Sequence, residues 1–167
     1  MDDRTIEELI CAELLPDDQR IALDFVGYLH KINAEFVRDV GYWKNKIYDL
    51  VKYRGECVCF IAIRDPDEPE NRWTCWSDDM DSDFLGSYPL ENDLKKIAWK
   101  HIGHCGSCGS CGGGRKKTVF GKVFDRVCGC TFRFDNPDAQ TLLFMKKMVD
   151  IRIPEILHKM QSNSAGT

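Results

Sequence analysis

The sequence predicts an α+β fold: an antiparallel β-sheet packed by N- and C-terminal helices, with a cysteine-rich metal-binding loop. Three observations carry that expectation. Apolar residues recur at helical spacing near both ends of the chain. The middle is rich in β-branched and aromatic runs separated by turn residues. Five of the nine cysteines fall between residues 105 and 130, in a glycine- and serine-rich setting unlike the rest of the chain.

The first helix is predicted from Thr5 and Glu8, a capping-box pair, with Ile6, Leu9 and Ile10 as its apolar face. Pro16-Asp17 begins a second, in which Ile21, Phe25, Leu29 and Ile32 recur at helical spacing. Lys46 to Tyr53 and Glu56 to Arg64 read as two strands meeting at Arg54-Gly55, a hairpin signal. The second strand is apolar on both faces, with Cys57, Cys59, Ile61 and Ile63 on one and Val58, Phe60 and Ala62 on the other. That pattern marks a central strand covered on both sides. A polar loop then leads to a third strand over Arg72 to Ser77.

A helix follows from about Asp93 to His101, and short strands are predicted at Thr118–Phe120 and Cys130–Phe134. Asn136-Pro137 signals the last long helix, with Asn as cap, Pro at the first helical position and Pro154 ending or kinking it. The expected organisation is one domain over 1–160. Its first 35 residues form a helical segment, 101–130 form the metal-binding insert, and 161–167 form a flexible tail.

With 167 residues, 43% of them hydrophobic and 30% charged, the chain has room for a real core. Its formal net charge of -4 argues against nonspecific nucleic-acid binding, which needs clustered cations. No stretch of about 20 apolar residues is present to span a membrane. The acidic start MDDRTIEELI lacks the basic and apolar regions of a signal peptide, so a cytoplasmic setting is expected. There thiols stay reduced, and the cysteines read as metal ligands or small buried hydrophobes. Cys11, Cys57, Cys59 and Cys75 fit the second description.

The segment from His101 to Gly114 contains C-x2-C-x2-C at Cys105, Cys108 and Cys111, and after sixteen intervening residues comes Cys128-Gly-Cys130. Zinc takes four soft ligands in a tetrahedron, commonly a close pair plus a remote second source. The preferred ligands are Cys105, Cys108, Cys111 and Cys128, with Cys130, His101 and His104 as alternates. Cys130 shares parity with Phe132 and Phe134 and reads equally as a buried strand residue. The same spacing also suits an iron–sulfur cluster, although the proline that follows the remote cysteine of bacterial ferredoxins is replaced by Gly129. A third reading is a metal-free loop with redox-active thiols.

Four cysteine ligands close a zinc site and make it structural. The signatures of zinc deaminases and zinc proteases are absent, as are G-x-G-x-x-G, Walker A and G-x-S-x-G motifs. The acidic run Asp78-Asp79-Met80-Asp81-Ser82-Asp83 fails as a calcium loop, with Phe84 and Leu90 where Gly and Glu are needed, and reads as a solvated loop. Trp43, Trp73, Trp76 and Tyr48 offer an aromatic-lined pocket for a small molecule. These features favour a non-enzymatic metal-binding module that binds a small molecule or a partner. The alternative is an iron–sulfur or thiol-based redox protein.

The stretch WKNKIYDLVKYRGECVCFIAI, the segment IAWKHIGHCGSCGSCGGGRKKTVFGKVFDRVC and the run FRFDNPD together resemble an uncharacterised bacterial family. Its members stand alone or lie behind AraC-type DNA-binding helices. The resemblance spans roughly residues 43–152. Its most specific part is Gly121, Lys122, Phe124, Asp125, Val127 and Cys128. It implies an α+β fold, a ligand-sensing role, and Cys128 as the partner of the cysteine cluster. The first 35 residues are too short for a full DNA-reading module.

Overall fold

The computed structural model describes residues 2–39, 46–80, 82–109 and 112–166. Four helices and seven strands follow in the order α1 (Ile6–Glu13), α2 (Pro16–Lys31), β1 (Glu35–Asp39), β2 (Tyr48–Tyr53), β3 (Glu56–Ile63), β4 (Trp73–Ser77), α3 (Asn92–Lys100), β5 (Ile102–His104), β6 (Arg115–Val119), β7 (Lys122–Asp135) and α4 (Ala139–Ala165). The strands form one antiparallel sheet in the order β1-β2-β3-β4-β7-β5, with β6 also pairing β7. The fold is therefore α+β, as the sequence predicts.

Local chemistry explains the main boundaries. Thr5 and Glu8 close the capping box of α1, each side chain bonding the other's backbone N–H. Pro16 opens α2, where its missing N–H is harmless. The β2–β3 hairpin turns at Arg54 and Gly55, both at positive φ, the backbone of a tight two-residue hairpin.

The principal core lies between the helices and one face of the sheet. Ile10, Phe25 and Leu29 meet Val51, Ile61, Trp73 and Cys75 there, and α4 adds Phe144, Met145 and Val149. Phe120, Phe132, Phe134 and Phe144 form an aromatic knot with centroids 5.0–6.2 Å apart. The opposite face carries a smaller cluster of Tyr48, Phe60, Ala62 and Trp76, flanked by Leu50, Cys57 and Cys130.

The structure corrects several expectations. β1 and β5 are additional strands, and β7 runs for 14 residues where short segments were expected. Register shifts between Val51 and Lys52, so that β3 spends two steps, Cys59 to Cys57, against one on β2. This bulge reverses the inside-outside alternation. Val58 joins Cys59 and Ile61 in the main core, and Cys57 crosses to the face of Phe60.

The cap of the last helix is Asp138, whose side chain accepts from the Thr141 N–H; it is not Asn136. Asn136 sits at φ 47° and accepts from the Arg72 N–H, so it closes the turn onto β4. α4 also continues through Pro154 to Ala165, because Ile151 and Ile156 remain buried on either side of the proline. Residues 161–165, expected as a tail, are its exposed last turn. Cys11 is exposed on α1 rather than packed in a core.

Candidate functional site: a groove on the open face of the sheet

The smaller cluster floors a groove of about 590 Å³ on the sheet face opposite the main core. Leu50, Cys57, Phe60 and Trp76 supply apolar surface from β2, β3 and β4. Cys128, Gly129 and Cys130 of β7 form one wall, joined by Gly103 and His104 of β5 and by Gly106 and Cys108 beyond it. Lys46, Lys52 and Arg133 contribute cations, and Asp39, Glu68 and Asp78 contribute carboxylates. Such a volume and such a mixture of aromatic floor and sparse charge are usual for small-molecule sites.

One end of the groove is organised around Trp76. Lys46 Nζ lies 5.6 Å and the Arg133 guanidinium 5.4 Å from its ring centroid. Glu68 Oε2 takes both cations, at 3.5 Å from Lys46 Nζ and 2.5 Å from Arg133 Nη2. Asp65 holds Lys46 at 2.7 Å, and Asp135 holds Arg133 at 2.9 Å. A carboxylate thus bridges two cations that both rest on an indole.

The other end is built from thiols. Between the pairs Ile102↔Phe132 and His104↔Val127, β5 advances two residues while β7 advances five. The surplus forms a bulge over residues 128–131. Arg126, at φ 54°, lies just before it, where β7 makes three steps against two on β6. Lys117 pins the far side by donating to Thr131 Oγ1 at 2.9 Å and Gly129 O at 3.4 Å. The neighbouring Cys130 pushes the Cys128 thiol down to about 6 against some opposing burial, and Lys117 adds to the lowering. Cys130 moves the opposite way, because of the neighbouring Cys128 and its own burial. Burial, reinforced by Asp78, pushes the Cys57 thiol up. Cys59 and Cys75, both free thiols, lie on the opposite, buried face, away from the groove.

The cysteine segment is tied to this wall. Cys105 N–H donates to Arg126 O at 2.8 Å, and Ser107 N–H donates to the Cys105 sulfur at 3.4 Å. Gly114 is required for the close approach, since a Cβ there would stand 2.7 Å from both Arg126 backbone atoms and the Cys105 Cβ. Cys108 and Cys128 line the same groove. Cys111 lies outside the described residues. Among the described residues no three His, Cys, Asp or Glu side chains gather closely enough to hold a metal ion.

The two histidines separate. His104 lines the groove, but His101 caps α3, packs on Phe134 and lies 3.4 Å from Thr141 Oγ1 on the core side. Of the aromatic residues expected around a pocket, Trp76 lines it and Tyr48 packs beneath it, 6.0 Å from Phe60. Trp73 belongs to the main core, because it stands three positions from Trp76 on β4 and so faces the opposite side of the sheet. Trp43 lies outside the described residues.

Sequence reasoning missed Leu50, Phe60, Lys46, Glu68 and Arg133 as groove residues. Alternation around Trp76 points to Leu50 and Phe60 once strand order is known; nothing local marks the ionic bridge. Asp79, expected in a solvated loop, is buried and accepts the Thr131 N–H at 3.0 Å. It fastens β7 to the end of β4.

No protein-family model matches the chain, and no curated protein or solved structure matches it either. Among the described residues, no helix is long and apolar enough to cross a membrane.

Proposed function

We propose that this is a non-enzymatic binding domain that takes a planar, amphipathic small molecule in the groove on the open sheet face. The observation that carries the reading is the contrast between the two faces. Helices pack across one, while the other leaves Leu50, Phe60 and Trp76 around a cavity of ligand size. An aromatic floor favours a flat apolar body, and the Lys46–Glu68–Arg133 bridge offers charge to a polar end. The resemblance to a family found behind AraC-type helices points toward ligand sensing.

The test uses anilinonaphthalene sulfonate, an aromatic anionic fluorophore. The wild-type chain binds it at one site, and Leu50→Arg, which fills the groove from a half-exposed position, weakens binding at least tenfold. Circular dichroism and thermal melting confirm that the variant keeps its fold. Equal binding by a folded Leu50→Arg chain, or none by the wild type, refutes the reading.

A second reading gives the cysteine segment a metal ion, zinc in preference to an iron–sulfur cluster. It is favoured by the Ser107 N–H···S contact to Cys105, of the kind that supports metal-bound thiolates, and by the shared wall of Cys108 and Cys128. Cys105, Cys108, Cys111 and Cys128 would be its ligands. Elemental analysis of anaerobically purified protein tests it. One zinc per chain, lost in Cys108→Ser and in Cys128→Ser but kept in Cys11→Ser, is the expected result. Visible absorption would assign iron–sulfur instead, and an empty wild-type chain ends the metal reading.

A further inference from the structure

We propose that the surface formed by α3 and the β6–β7 hairpin is a docking site for single-stranded nucleic acid. The inference is independent of the groove, because none of the cations it uses lines that cavity. It starts from how charge is distributed. The chain carries a formal -4, yet residues 92–126 hold eight Lys and Arg against Asp93 and Asp125, a local +6. Adding Asp83 and Glu91, from the loop that bonds the hairpin turn, still leaves +4 over 82–126. Among the described residues none of the eight cations pairs with a carboxylate, whereas Arg38, Lys46, Arg72 and Arg133 elsewhere all do. Lys117 is turned inward to Gly129 O and Thr131 Oγ1, but Lys96, Lys100, Arg115, Lys116, Lys122 and Arg126 are exposed. Like charges gathered without partners repel one another. A polyanion relieves that repulsion and sheds its own counterions as it binds. The overall charge of the chain argues against such binding; its distribution argues for it.

Trp99 joins the elements of this surface. Its indole N–H donates to Val119 O at 2.9 Å, which fastens α3 to the end of β6. Lys122, the cross-strand partner of Val119, places Nζ 5.3 Å from the Trp99 ring centroid and 5.3 Å from that of Phe124. Lys95 and Lys96 precede Trp99 by four and three residues, so they flank it on the helix. Arg115 stands four residues before Val119, about 13 Å along the hairpin. The cations therefore form a track, longer than one phosphate or carboxylate can cover, with two half-buried rings set in it. Single-stranded nucleic acid uses both features: its phosphates pair with Lys and Arg, and its unstacked bases lie on aromatic rings. A duplex keeps its base faces stacked inside, and an acidic peptide answers the charge but not the rings.

Fluorescence anisotropy of a labelled oligothymidylate with the full chain tests the proposal. Binding is expected at low salt. The logarithm of the association constant should fall against that of salt concentration with a slope of about -2 to -3, the counterion release of three or four phosphates. The double variant Lys96→Glu/Lys122→Glu should weaken binding roughly tenfold or more. Arg20→Glu/Lys31→Glu, an equal change of charge at exposed positions of α2, should alter it less than about twofold. Thermal melting confirms that both variants fold. Both should also bind anilinonaphthalene sulfonate as the wild type does, so failure here leaves the groove reading standing. The proposal fails if the oligothymidylate does not bind, or if the two double variants weaken it equally. It also fails if a duplex of the same length, polyglutamate, or phosphatidylserine vesicles bind as tightly as the single strand.

Discussion

The two faces of this sheet are made by the same strands and differ in almost every physical respect. One is sealed by α1, α2 and α4 over a continuous core, and its large side chains, including Phe25, Trp73, Phe132 and Phe144, are fully buried. The other carries a cluster of four buried hydrophobic residues, then opens into a groove edged by ion pairs and thiols. A strand buried on both sides reads as uniformly apolar, and β3 does. The apolar residues on its second face line a cavity as well as a core. The lesson is that a doubly apolar strand need not be doubly covered.

The largest expected effect breaks this comparison directly. Phe144 meets Phe120, Phe132 and Phe134 inside the sealed face, so Phe144→Ala should cost about 3–5 kcal/mol. Phe60 is the corresponding large side chain of the open face, and water can enter the space it vacates. Phe60→Ala should cost about 1–3 kcal/mol and weaken groove binding. Urea unfolding of both variants decides it; equal losses would mean that the second face is a core like the first.

The boundary between the faces supplies the next test. Asp79 accepts the Thr131 N–H where β4 ends and β7 continues. Asp79→Ala leaves that buried N–H without its acceptor and should cost about 1–3 kcal/mol. Asp79→Asn keeps an acceptor oxygen and should recover most of the loss. Amide exchange at Thr131, faster in the first variant and near normal in the second, would show that the effect is local.

How much of this was legible in the sequence follows the same divide. Elements set by local chemistry could be read directly: the Thr5–Glu8 box, Pro16, and the turn at Arg54-Gly55 all act within a few residues. Elements set by partners could not. β5 is three residues long and exists because β7 offers an edge. The exchange of Cys57 and Val58 between faces comes from a bulge whose cause lies in the pairing with β2. The cysteine segment was conspicuous, and its attachment to β7 is present through Cys105 and Arg126. Its association with a groove floored by Leu50, Phe60 and Trp76 depended on strand order, which spacing does not encode. Asn136 was misread for a related reason: an Asn-Pro pair signals a helix cap, but here Arg72 takes the Asn side chain and Asp138 caps instead.

That substitution of caps gives the smallest and cleanest effect, on the sealed face's last helix. The Thr141 backbone N–H donates to Asp138 and holds its carboxyl below the ordinary value of 3.8. A carboxyl depressed in the folded state adds stability that is complete above its unfolded value and fades as pH falls through the folded one. Asp138→Ala should therefore cost about 1 kcal/mol near neutrality. The gap from wild type should narrow as pH falls through 3.8, where the carboxyl is half protonated in the unfolded chain. Asp138→Asn caps without a charge, so it should stay close to wild type near neutrality and show a flatter pH response. If Asn136→Ala proved costlier than Asp138→Ala and carried the acid dependence, the helix would begin two residues earlier than its hydrogen bonds indicate. Because none of the described residues that line the groove belongs to α4, neither cap variant should alter groove binding, which makes the pair a control for every substitution on the open side.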